Sequence, residues 1–164
     1  MKHVLNLLTV AAVFSLAVLI SCKGGDDGPE PEDPIGKDKA EAMASATWVP
    51  SSVTNAGTPR EEWSEFTLTF SANAGFTGGT YATEGYPSED ADNLVWKGNG
   101  TWEFGTNGDG EVDINTIYKD GDTDNALSVT VSSGASLNVA FDVPDPNNRA
   151  EGFYGEWVFN MGPQ

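Results

Sequence analysis

From Thr47 to Met161, apolar and polar residues alternate with a period of two, and turn-forming residues separate the alternating runs. Phe66, Leu68 and Phe70 fall on one face, with Glu65, Thr67 and Thr69 on the other. Trp102 and Phe104 alternate with Thr101 and Glu103, and Val112, Ile114 and Tyr118 alternate with Asp113 and Asn115. The same period carries Leu127, Val129 and Val131, then Leu137, Val139 and Phe141, then Trp157, Phe159 and Met161. Successive side chains of a strand point to opposite faces, so each run predicts a half-buried antiparallel strand. Less regular strands are expected over Thr47–Val53, where Pro50 marks an edge or bulge, and near Thr80–Thr83. Asn107-Gly108-Asp109-Gly110 and Ser132-Ser133-Gly134-Ala135 carry the residues of tight hairpins. Lys39–Ser45 is Ala-rich and free of Gly and Pro, which predicts one short helix ahead of the first strand.

The result is an all-β domain of about eight antiparallel strands. Such a meander must hide one face and dispose of its edges, which a two-sheet sandwich does partly and an up-and-down barrel does by closure. The barrel is the preferred architecture, over residues 39–164. That length of chain is one domain's worth.

Ahead of it, an apolar run from Val4 to Ile20 follows Lys2 and His3 and ends at Ser21 and Cys22. This order is that of a secretion signal over residues 1–21. A membrane-crossing helix needs about 20 apolar residues, and this run leads straight into Lys23-Gly24-Gly25-Asp26-Asp27. Residues 22–38 are rich in Gly, Pro and acid, with Ile35 the one large apolar residue, and read as a disordered spacer reaching about 20 to 50 Å.

Leu19-Ile20-Ser21-Cys22 resembles the lipobox of bacterial lipoproteins. The resemblance implies cleavage before Cys22, attachment of palmitate-like acyl chains there, and anchoring in the outer membrane. Lys23 with Asp26 and Asp27 is similar to the export signal of Bacteroidota lipoproteins, which implies a position facing the cell surface. Further on, Ala46-Thr47-Trp48, Phe66-Thr67-Leu68-Thr69-Phe70, Gly79-Thr80-Tyr81, Gly100-Thr101-Trp102-Glu103-Phe104 and Gly155-Glu156-Trp157-Val158-Phe159 resemble the strand signatures of small lipocalin-like lipoproteins of Bacteroidota. The family implies a lipocalin-like barrel without an assigned biochemistry. Ala46 stands where lipocalins proper have the Gly of their Gly-x-Trp.

Charge and composition narrow the chemistry. The chain has 25 Asp and Glu against eight Lys and Arg, and processing at Cys22 also removes Lys2. Phosphate recognition needs clustered Lys and Arg, so nucleic acid is not an expected partner. His3 is the sole His and Cys22 the sole Cys. The processed chain would therefore lack imidazole and free thiol, which excludes Ser-His-Asp and Cys-His nucleophiles and the usual zinc ligands. A pair of carboxylates is the remaining route to hydrolysis, and no pair stands out among so many. The expectation is a non-enzyme with no cofactor and no metal. Asp120-Gly121-Asp122-Thr123-Asp124-Asn125 begins like an EF-hand loop, but Asn125 replaces the required Gly and Val131 the bidentate Glu, so it reads as an acidic turn.

Candidate ligand contacts are the aromatic residues Trp63, Trp96, Tyr81 and Trp102. Trp48, Trp102 and Trp157 are expected in the core, whereas Trp63 and Trp96, if exposed, would stack on a sugar or line a cavity mouth. Two functions follow. The preferred one is a binding barrel for a small apolar or amphipathic ligand; the other is a glycan- or protein-interaction module with a filled core and recognition by outer loops. The bulk of five Trp and eight Phe favours a filled or nearly filled interior.

Overall fold

The computed structural model describes residues 33–88, 94–96, 98–145 and 153–164. The signal segment, Cys22 and most of the spacer lie outside them. So do residues 89–93 of the acidic stretch Glu84–Asn93.

One helix, α1 (Lys37–Met43), precedes nine strands: β1 (Thr47–Asn55), β2 (Thr58–Pro59), β3 (Thr67–Ala72), β4 (Gly78–Glu84), β5 (Asn99–Thr106), β6 (Val112–Lys119), β7 (Asp122–Ser132), β8 (Ser136–Val143) and β9 (Gly155–Pro163). A 3-10 turn, Glu61–Trp63, lies between β2 and β3. From β3 to β9 each strand pairs antiparallel with the next in sequence, and β1 pairs with both β3 and β9. Eight strands thus close an up-and-down barrel. β2 is a two-residue addition that pairs with the end of β1.

The helix starts two positions ahead of the expected Lys39, inside the predicted spacer. Gly36 adopts a left-handed conformation (φ 92°), the Lys37 N–H bonds the Pro34 carbonyl at 3.1 Å, and the Lys37 ammonium reaches Asp33 at 2.9 Å. α1 lies across one end of the barrel. Ala40 and Met43 are buried there, the Met43 carbonyl accepts the Trp48 indole N–H at 2.8 Å, and Lys39 Nζ donates to the Val129 carbonyl at 2.6 Å.

Inside, the alternation behaves as the sequence predicts along most strands. Leu68 and Phe70, Trp102 and Phe104, Leu127 and Val129, Leu137, Val139 and Phe141, and Trp157, Phe159 and Met161 are all buried. In β1, Pro50 sits at a register shift against β9, as a residue without an N–H requires.

β6 departs from the predicted phase. Phe104 pairs with Ile117 but the next residue, Gly105, pairs with Asp113, so Ile114, Asn115 and Thr116 form a bulge. Asp113 holds it by accepting the Asn115 N–H at 3.0 Å and the Thr116 hydroxyl at 2.7 Å. Ile117, rather than Tyr118, therefore enters the core, and Val112 is 38% exposed. A carboxylate that turns its own chain in this way displaces every later side chain to the other face.

Candidate recognition surface at the barrel mouth

The end opposite α1 is sealed from within by side chains that come from connections. Trp63 from the 3-10 turn, Phe66 just before β3, and Val95 and Trp96 from the β4–β5 connection are 0, 0, 0 and 1% exposed. Trp63 meets Phe66, Trp157 and Phe159 edge-on, with ring centroids 5.3, 5.4 and 5.3 Å apart. Trp96 contacts Phe66, Tyr81, Phe141 and Phe159 at 5.6 to 6.1 Å. Pairs of this geometry contribute about 0.5 to 1.5 kcal/mol each beyond their burial. The expectation of an outer sugar platform therefore fails for Trp63 and Trp96: the covering aromatic wall is more favourable for an indole than water. Tyr81 and Trp102, each 2% exposed, also face inward.

Two cations pin this layer. Lys119 shares the inward phase of Ile117; its Nζ donates a 2.8 Å hydrogen bond to the Val95 carbonyl and stands 4.4 Å from the Trp96 ring and 5.2 Å from the Phe141 ring. Aromatic faces offset part of the cost of withdrawing an ammonium from water. Arg60 lies over Trp157 at 4.9 Å and over Phe153 at 5.2 Å, with its guanidinium paired to Glu62.

Tyr81 points its hydroxyl at Asp120, which accepts it at 2.8 Å and the Thr101 N–H at 3.0 Å. Burial, followed by this carboxylate, pushes the phenol well above its ordinary range. Asp120 and Gly121, with φ of 57° and 73°, form the tight turn from β6 to β7. Of the expected acidic turn only Asp120 and Gly121 turn; the residues after them open β7, where Asp122 accepts the Asp124 N–H at 3.0 Å and the Asn125 amide at 2.6 Å. The Asn125 amide, then the Asp124 N–H, hold the Asp122 carboxyl below the usual range. Among the described residues no group of three or more His, Cys, Asp or Glu is placed to hold a metal ion.

The barrel wall itself changes beside this turn. Ile117 pairs with Leu127 and Lys119 with Asp122, so β7 bulges between the two pairs. At the same level the β7–β8 ladder stops at Ser128 and Ala140, while β8 continues beside β9 to Val143 and Gly155. A groove of about 220 Å³ occupies the interval, lined by Asn125, Leu127, Phe141 and Val143 at the wall, Asp122 and Asp142 at the rim, and Lys119 toward the interior.

Neither Lys119 nor this groove was among the residues expected from sequence. Lys119 joins the inward row only after the Asp113 bulge is counted, and an interrupted ladder leaves no mark on an alternating pattern. Comparison with protein-family models, with curated proteins and with solved structures finds no match. The functional reading therefore rests on the barrel and its mouth.

Proposed function

We propose that the chain is a lipid-anchored protein of the outer membrane, facing the cell surface, whose barrel is a non-catalytic recognition module working through its mouth surface. Of the two functions expected, this is the interaction module. The observation that carries it is the filled interior: Trp48, Trp63, Trp96, Trp157, Phe66 and Phe159 are fully buried against one another and against the aliphatic rows. A ligand-carrying barrel offers roughly 300 to 1,000 Å³ for its cargo, and here the protein's own rings stand in that space.

Anchoring is supported by Leu19-Ile20-Ser21-Cys22 and by the Gly, Pro and acid that follow. A non-catalytic role is supported by the loss of the sole imidazole and thiol on processing. The net charge of −17 fits a module that is kept apart from anionic surfaces and repels nucleic acid.

Two measurements test this reading. Mass spectrometry of the membrane-extracted protein should show an acylated N-terminal cysteine; an intact leader without acyl chains would remove the anchor. Adding decanoate or palmitate to the purified protein should leave Trp emission unchanged. Saturable quenching that is lost in Trp96→Phe would return the function to an interior ligand.

A further inference from the structure

We propose that the interval between β7 and β8 is a docking slot for one extended basic segment of a partner protein, which adds as a strand to the end of β8. The inference rests on the mouth being the recognition surface.

The first argument is the wall. Continued in register, the β7–β8 ladder would pair Leu127 with Phe141, Ala126 with Asp142 and Asn125 with Val143. Instead these positions flank the groove, and among the described residues β8 has a strand neighbour there on its β9 side only. A strand with one open side is a template for another chain, because its main-chain groups fall at the spacing of a second strand. Asp122 keeps the slot from zipping shut. By binding the Asp124 N–H and the Asn125 amide it fixes the bulge of β7 that coincides with the end of the ladder.

The second argument is chemistry. Side chains of an added strand alternate between the floor of the groove and solvent. The inner positions would meet Leu94, which is 44% exposed in the groove, beside the nearly covered edges of Phe141 and Val143. The outer ones would meet the exposed carboxylates of Asp122 and Asp142. Apolar residues alternating with Lys or Arg complement both rows, and the acidic surface steers such a segment toward the mouth. A sugar finds no comparable partner here: the Phe141 ring is nearly covered, and the indole of Trp96 is buried beneath Lys119.

The test uses the purified full chain, labelled for backbone amide NMR, and three probes: acetyl-Val-Lys-Val-Lys-Val-amide, its Glu counterpart, and the Lys peptide with alternate backbone amides N-methylated. The Lys peptide should shift the amides of Asn125–Leu127 and Phe141–Val143 at concentrations up to about 1 mM, more weakly in high salt. N-methylation along the pairing edge should weaken it by about tenfold, as should combining Asp122→Asn with Asp142→Asn. Unchanged Trp emission would show that the double variant keeps its fold. Asp142→Asn alone should weaken binding while leaving the bulge intact.

Equal binding of the N-methylated peptide would overturn strand addition, and equal binding of the Glu peptide would overturn the basic requirement. No shift at the slot with the Lys peptide would overturn the proposal as a whole. Shifts confined to other mouth residues, such as Arg60 and Trp63, would sink the slot and leave the mouth reading standing. Shifts confined to the α1 end would sink both.

Discussion

The Tyr81 hydroxyl reaches across Gly100 to donate a 2.8 Å hydrogen bond to the Asp120 carboxylate. A Cβ at Gly100 would lie 2.6 Å from that hydroxyl and would collide with Asp120, so glycine is required here for space alone. Tyr81→Phe should lose about 1.5 to 3 kcal/mol of stability, the range for a hydrogen bond to a charged group. Gly100→Ala should lose about 1 to 3 kcal/mol through overpacking. Denaturant unfolding of both variants measures this.

Burial of the same phenol, with Asp120 beside it, sets an alkaline limit. The folded state raises the Tyr81 pKa, so its contribution is complete below the unfolded value of about 10 and is lost as pH rises above it. Unfolding midpoints should fall from about pH 10 upward in the parent protein. The fall should be shallower in Tyr81→Phe. Identical slopes would mean that folding leaves the titration of the phenol unchanged.

Lys119 and the Val95 carbonyl form the latch of the mouth. Lys119→Met retains the buried stem and removes the ammonium, so global stability should fall by about 1.5 kcal/mol, the low end for a hydrogen bond to a charged group. Hydrogen exchange of the Leu94–Trp96 amides should rise by about tenfold, because local opening no longer breaks a charged hydrogen bond. Unaltered exchange there would contradict the latch.

Trp63 and Trp157 offer an internal comparison. The Trp157 N–H donates to the Phe153 carbonyl at 2.8 Å, whereas the buried Trp63 N–H has no hydrogen-bond acceptor among the described residues. Both lose ring area on substitution by Phe, but only Trp63→Phe removes an unsatisfied donor. Trp157→Phe should therefore be the more destabilising by about 1 to 3 kcal/mol. Equal losses would place an acceptor, such as an ordered water, beside Trp63.

At acid pH the two bulge carboxylates matter. Asp113 and Asp122 both titrate below their ordinary value because neighbouring donors bind the ionised form. Their stabilisation is present above the unfolded pKa of about 4 and disappears as pH falls through the folded one. Replacing each with Asn should flatten the loss of stability below about pH 4, measured as unfolding midpoints at neutral and acid pH.

The period-two rows of β3, β5, β7, β8 and β9 were legible in the chain because one buried face imposes strict alternation. The hairpins at Asn107–Gly110 and Ser132–Ala135 were legible from turn chemistry. Asp113 reads as an ordinary polar position and Asp122 as part of an acidic turn, yet each bends its strand through bonds to residues two and three further on; the bend at Asp113 hid both Ile117 and Lys119. Trp63 sits among charged and polar neighbours and Trp96 closes the short run Leu94-Val95-Trp96 after a long polar stretch, so nothing local signals that they plug the barrel. Only closure, a long-range event, gives them an interior to enter.

Closure joins β1 to β9, the earliest and latest strands of the barrel. Trp48 and Val53 have no complete wall until Phe159 and Met161 arrive, and Trp63 cannot be covered before Trp157 is present. Such non-local pairing slows folding and suppresses stable partial structures. A chain still emerging from the ribosome would thus remain unfolded until its final strand is free, as the export proposed above would require.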